Sequence, residues 1–319
     1  MSLIVRGNTD LADDSATEYL IKFTTYTNYL KNINEFIYDL YKDENKFGAI
    51  LAEKTARFKL GKNLSPEKLE KWLKLSWNTE FLLNISTKNH DIDILRINNH
   101  WMPVLTYYTI YSSLIAFCYS NGSEASNHTT ALKVATQIFV ERGIPPWSFA
   151  YQGPPGRGGH DHIPVKFPDT VDWNNLPSNL QKRGVKPVEM IAVCLRAEHL
   201  HRRDDIWNDI KKDKSRKKRK YQIDPNYTSI LHFLYRLRKR SNYDSPDTFT
   251  ADAPHDDIKD FASSLKDICF WSLMYMEAIM IRKLGRANFI DIADKYIEKN
   301  KAAEDLKARI SIFKRNFDS

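Results

Sequence analysis

Ile97-Asn-Asn-His-Trp-Met-Pro103-Val-Leu-Thr-Tyr107-Tyr108-Thr-Ile-Tyr111-Ser-Ser-Leu-Ile-Ala-Phe117-Cys-Tyr-Ser-Asn-Gly122-Ser123 contains no Asp, Glu, Lys or Arg. In a chain where 28% of residues are charged, so long a neutral run needs a physical cause. A helix enclosed by other helices is apolar nearly all round, whereas a surface helix keeps a polar face. The run is long enough to cross a bilayer. Against that, Thr106, Thr109, Ser112, Ser113 and Ser120 interrupt it, its tyrosine hydroxyls need partners, and Pro103 stands near its start. Inside a bundle those hydroxyls can bond neighbouring helices or backbone carbonyls. The stretch is therefore read as the central helix of an all-α protein, with Tyr108 inside the bundle and no membrane span.

Helical periodicity continues on both sides. Upstream, Tyr19, Leu20, Phe23, Tyr26, Leu30, Ile33, Phe36, Ile37 and Leu40 recur at helical steps over residues 16–43. A second helix is expected over 47–58. Ser65-Pro66-Glu67 is a start signal for a third, with a cap, a proline at the first helical position and an acid in the first turn. Downstream, Ser126 is expected to cap a helix that runs to Arg142, ended by Gly143 and Pro145-Pro146. His128 falls in its first turn, where the helix macrodipole disfavours the protonated ring. Two readings stay open for it: a neutral histidine bonded to the bundle wall, or a general base.

Residues 145–187 break the pattern with Gln152-Gly-Pro-Pro-Gly-Arg157-Gly-Gly-His160-Asp-His162 and further prolines. The Gly-rich part lacks the phosphate-loop pattern, and His160-x-His162 has no second cluster to complete a metal site. The stretch reads as a long loop within an insertion. Helices are expected over 188–208 and 226–242, then an acidic linker, a last bundle helix over 256–284, and a charged helical tail.

Charge is uneven. The net charge is +8, yet residues 182–240 hold 18 Lys and Arg against 7 Asp and Glu, an excess of 11 that leaves the rest at −3. Its densest part, Lys211-Lys-Asp-Lys-Ser-Arg-Lys-Lys-Arg-Lys220, has 8 basic residues in 10. No apolar residue interrupts it, so it reads as an exposed arm. The candidate nucleic-acid contacts are Lys211, Lys212, Lys214, Arg216, Lys217, Lys218, Arg219 and Lys220. Arg202, Arg203, Arg236 and Arg240 flank them and extend the basic surface. Such groups displace counterions from phosphates and give sequence-independent affinity. Cys118, Cys194 and Cys269 lie in apolar helical surroundings; their odd count and spacing suit a reducing cytoplasm rather than a disulfide framework or metal site. No cofactor is expected.

Two motifs carry a family resemblance. Tyr107-Tyr108-x-x-Tyr111, the small residues through Ala116, Gly122 and then Ser126-Asn-His128 resemble the "YYxxFhaaxALLxxxG…sH" signature of HEPN-like helical domains. Further on, Leu234-Tyr-Arg-Leu-Arg238-Lys-Arg-Ser-Asn242-Tyr243-Asp244 resembles the "LRxxADY" element of the same family, in the same order. The general shape is also similar to YaaC-like bacterial proteins. The resemblance covers residues 95–285 and implies this division: an N-terminal helical region (1–92), a HEPN-like bundle (93–285) with an insertion at about 145–224, and a C-terminal helical tail (286–319).

The family consists of small, often dimeric bundles of bacterial toxin–antitoxin and defence systems; many cut RNA, others are inactive scaffolds. The resemblance thus implies an RNA partner, an antitoxin or other protein partner, and a homodimer. It puts Arg238, Asn242 and Tyr243 near the RNA groove, with His128 a further candidate. Catalytic members have Arg, four to six residues, then His. Here five residues separate Arg236 from Asn242 and three separate Arg238 from it, and no His fills the slot. Asn can hydrogen-bond but cannot exchange a proton near neutral pH. RNA binding with little cleavage is therefore the expectation. A metal-independent endoribonuclease and a non-enzymatic dimerisation or interaction scaffold are the alternatives.

Overall fold

A computed structural model describes residues 9–59, 66–88, 91–153, 163–182, 184–212 and 227–317. Among these residues the helices are α1 Thr9–Tyr41, α2 Glu44–Thr55, α3 Pro66–Lys88, α4 Ile92–Asn98, α5 Met102–Ser120, α6 His128–Arg142, α7 Pro187–Lys212, α8 Ile230–Lys239, α9 Asp247–Thr250, α10 His255–Leu284, α11 Arg286–Lys299 and α12 Glu304–Asn316. Three short strands, β1 Ala150–Gln152, β2 Ile163–Val165 and β3 Tyr227–Thr228, form an antiparallel sheet in the order β2-β1-β3. The protein is predominantly helical, as its sequence indicates, and no described helix is long and apolar enough to cross a membrane.

The neutral stretch divides in two. Ile97 and Asn98 close α4, whose start is capped by Asp91 accepting the Asp93 N–H at 2.9 Å. After a turn, α5 begins at Met102 with Pro103 in its first turn, where the missing N–H has no partner to lose. Gly122 adopts a φ of +78°, the left-handed conformation that lets the chain leave the helix and reverse. Helix α6 is capped by Asn127, one residue later than expected; its carboxamide oxygen accepts the Thr130 N–H at 2.9 Å.

Helix α5 lies among α3, α6, α8 and α10 and buries Tyr107, Ile110, Leu114 and Phe117. Its enclosure is incomplete. Tyr108, expected inside the bundle, is 36% exposed, and Trp101 is 50% exposed. Absence of charge showed only that no charged group belongs on that stripe. A tyrosine there can lay its ring on the protein and keep its hydroxyl at the surface.

Segments 1–92, 93–285 and 286–319 contribute side chains to one continuous core. The C-terminal helices are docked rather than trailing. Arg309 of α12 is fully buried; it donates to Glu277 of α10 at 2.7 Å and to Glu80 of α3 at 2.9 Å, while the Trp77 indole donates to Glu277 at 2.8 Å. Residues 145–187, read as loop, supply β1 and β2. Tyr151 pairs with Pro164 on one side and with Thr228 on the other. Strands this short carry no readable two-residue alternation, and the third partner is distant in sequence. The acidic linker before α10 also contains α9, which places Phe249 in the core.

Candidate functional site

Helix α8 starts with a reciprocal cap. Ser229 opens it, and the His232 ring, three residues on, accepts the Ser229 N–H at 3.3 Å. Its far end widens into a π-helical turn, Arg240–Asp244, closed by the Ser245 N–H donating to the Arg240 carbonyl at 2.9 Å. At about 100° per residue, positions five apart point to different sides of an α-helix. The wider turn brings them back toward one side. Tyr243 consequently returns over Arg238, with the guanidinium 5.5 Å from its ring centre.

Arg238 is the centre of the site. Its guanidinium also lies 5.1 Å from the Tyr108 ring and 5.8 Å from each of the Tyr107 and Tyr235 rings. One N–H donates to the Tyr108 hydroxyl at 3.1 Å, while the Nε is buried and has no hydrogen-bond partner. The residue is only 7% exposed. Among the described residues no carboxylate pairs with it. Four electron-rich ring faces stabilise the cation, but they leave most of its five donors for another acceptor.

His128, the first residue of α6, reaches the same tyrosines. Its Nδ1 is 2.9 Å from the Tyr107 hydroxyl, and its ring packs against Tyr111 at 4.1 Å and Tyr235 at 5.6 Å. Burial holds the imidazole below its ordinary pKa, and the positive charge of Arg238 adds to the effect. A neutral ring near pH 7 follows. If Nδ1 donates to Tyr107, Nε2 is left with the lone pair; the opposite tautomer puts the proton there. Tyr107 cannot ionise in compensation, because burial drives its phenol far above the ordinary value.

The structure thus brings together Arg238, Tyr243 and His128, three of the four candidate catalytic positions, with Asn242 half-buried in the connecting π turn. The histidine nearest Arg238's tyrosines comes from α6, not from the α8 end. Tyr235 went unrecognised in the sequence. Its signal was the spacing Tyr235-Arg-Leu-Arg238, which puts the ring and the guanidinium on one helical face.

The expected basic surface is less continuous. Arg236 is turned inward, donating to Glu198 at 2.7 Å and Asp205 at 2.8 Å. Burial raises the Glu198 carboxyl to about 7, with Arg236 acting against that rise. Arg240 lies on the α1 side of α8, bonded to the Tyr26 hydroxyl and 3.3 Å from the His201 ring. Arg202 ties α7 to β3 through the Tyr227 carbonyl at 2.9 Å and the Thr228 hydroxyl at 2.6 Å. Arg203 contacts Asp204 at 3.4 Å. Arg236, Arg240 and Arg202 fasten elements together through acids of α7, a hydroxyl of α1 and the carbonyl and hydroxyl of β3, partners that sequence spacing does not reveal. Lys211 and Lys212 belong to the last turn of α7. Lys214, Arg216, Lys217, Lys218, Arg219 and Lys220 lie outside the described residues, as do Arg157, His160 and His162.

His199 is buried against Thr228 at 2.9 Å, and His201 is with Arg240, so neither joins His128. The three cysteines are free and buried. Among the described residues no group of three or more His, Cys, Asp or Glu is placed to hold a metal. The arrangement offers a site for one anion, a flanking neutral imidazole and several aromatic faces. No family model matches the sequence, and no curated protein or solved structure matches it.

Proposed function

We propose that this chain binds single-stranded RNA at the Arg238–His128 cluster, with a backbone phosphate on Arg238 and bases against Tyr108 and Tyr243. The observation that carries this reading is a buried arginine that pairs with no carboxylate among the described residues and is ringed by four tyrosines. Arg supplies parallel donors to phosphate oxygens, and aromatic faces stack on bases irrespective of sequence. The basic segment 211–220 adds long-range attraction. A bacterial defence or toxin–antitoxin setting, and a homodimeric state, belong to the same proposal through the HEPN-like resemblance.

A second reading, metal-independent endoribonuclease, is favoured by one specific observation: His128 packs against Tyr107 and Tyr235, two of the rings round Arg238, and its pKa is lowered by burial. A neutral imidazole there can take the proton of a ribose 2′-hydroxyl as that oxygen attacks phosphorus. The 5′-oxygen leaves and takes a proton from solvent, giving a cyclic phosphate and a free 5′-hydroxyl. A positioned base of this kind contributes about a hundredfold to ten-thousandfold.

Incubation of wild type, Arg238→Ala and His128→Gln with mixed RNA in EDTA tests both. RNA retention by wild type that drops in Arg238→Ala supports the binding reading. EDTA-resistant cleavage that disappears in His128→Gln while retention persists promotes the ribonuclease. Absence of retention and cleavage at low salt sinks both and leaves the scaffold alternative. Replacing the eight basic residues of 211–220 by Gln is expected to weaken binding and flatten its salt slope, with the helical circular-dichroism signal unchanged.

A further inference from the structure

A cavity of about 380 Å³ lies between α6, α7 and α8, bordered by β1 and β3. It shares a wall with the site above. Tyr235 lines the cavity, and the same ring stacks near His128 at 5.6 Å and lies 5.8 Å from the Arg238 guanidinium. Thr129, the residue after His128, also lines it. A group leaving the Arg238–His128 cluster past Tyr235 therefore meets this cavity first.

Its lining is specific in kind. Leu132, Tyr227 and Tyr235 give apolar and flat surfaces. Gln152, half-buried on β1, lines it with a side-chain amide that makes no hydrogen bond among the described residues. The Asp205 and Glu198 carboxylates stand on the α7 side, each bonded to Arg236 through only one of its oxygens. Lys133 and Lys239 line it as well and have no ion pair among the described residues. The volume is at the small end for a ligand pocket, so it suits one ring system rather than an oligomer. Flat walls, free acceptors and flanking cations match a planar, donor-bearing heterocycle on a phosphate backbone.

We propose that this cavity is a base-selective subsite for RNA, taking one nucleobase that bears an exocyclic amino group, adjacent to the phosphate on Arg238. This rests on the RNA-binding reading and adds selectivity to it. An amino group can donate to the Gln152 oxygen and to the Asp205 oxygen that Arg236 leaves free. Uracil has a single edge donor, its N3–H, set between two carbonyls, whereas guanine, adenine and cytosine carry an exocyclic amino group with two. A site whose acceptors are left short of a donor discriminates against the analogue that lacks it.

The test uses the full chain and five-nucleotide RNAs with 2′-O-methyl riboses, which block cleavage. One is all uracil; the others carry one central guanine, adenine or cytosine. Wild type is expected to bind at least one amino-bearing oligomer about tenfold more tightly than the all-uracil oligomer, the size of one added recognition contact. Gln152→Ala and, separately, Gln137→Trp at the exposed edge of the cavity are expected to collapse that ratio toward one. Circular-dichroism melting checks that each variant folds, and either folded variant is sufficient. Equal affinity for all four oligomers, or a preference that survives a folded variant, overturns the subsite while leaving RNA binding standing. Failure of wild type to bind any of them overturns the RNA reading and the subsite with it.

Discussion

Arg309 and Arg238 are both buried, and their surroundings differ completely. Arg309 is enclosed by Glu80 and Glu277, each of them itself buried, and Glu277 is held in turn by Trp77. Arg238 faces four tyrosine rings, one hydroxyl and no carboxylate among the described residues. The first is a pin that ties α12 to α3 and α10. The second is a cation kept out of water with its charge unspent. A buried charge is tolerated when paired, and otherwise it needs another source of stabilisation. The arginine without a carboxylate is thus the one able to serve an external anion, whereas the completely paired one serves the fold.

Breaking the pin has the largest expected effect. Arg309→Ala leaves Glu80 and Glu277 facing each other in the core, and loss of one partner of a buried pair costs about 3–5 kcal/mol. Chemical denaturation measures it; a loss below about 1 kcal/mol would dissolve the distinction between the two arginines. Arg238→Ala comes next. It forfeits cation–π contacts and packing but strands no carboxylate, so its stability cost should stay under about 2 kcal/mol. RNA affinity should nevertheless fall at least about tenfold. A variant that melts far below wild type would reassign Arg238 to the structural class.

Tyr108→Asp sharpens the contrast further. It removes the hydroxyl partner of Arg238 and supplies the carboxylate that the site lacks. Melting should move by less than about 1 kcal/mol, because the position is part-exposed and the new pair offsets the lost ring. RNA binding should fall nearly as far as in Arg238→Ala, since the anion site is then filled from within. Severe unfolding of this variant would mean that Tyr108 is core after all.

The smallest effect is a pH dependence. The folded-state pKa of His128 is depressed by burial and by Arg238. As pH falls below about 6.5, the unfolded chain takes up the proton before the folded one does, so this group's contribution is full above that pH and is lost below it. His201 and His232 shift in the same direction. Glu198, raised to about 7, and Asp267, raised to about 6, act oppositely. The difference between wild type and His128→Gln isolates the one histidine. The variant should lose less stability than wild type between pH 7.5 and 5.5. Parallel curves would show that His128 titrates as it does in water.

The sequence alone determined that the chain is helical, that its uncharged stretch holds a largely buried helix, and that the positive balance resides in 182–240. Apolar spacing, caps and charge counts are local properties, legible without a partner. It also marked Arg238, Tyr243 and His128, through motifs lying more than a hundred residues apart. Only the tertiary structure decided that they meet. Packing of α6 beside α8 carries His128 against Tyr235, and a π turn folds Tyr243 back over Arg238. It also decided which cations are occupied. Arg236 and Arg238 are two residues apart on one helix, yet one faces the acids of α7 and the other the tyrosines of α5. The charge of an arginine is written in the sequence. Whether that charge is already neutralised depends on which helix packs against each side of α8, and that is set by the burial of the whole core.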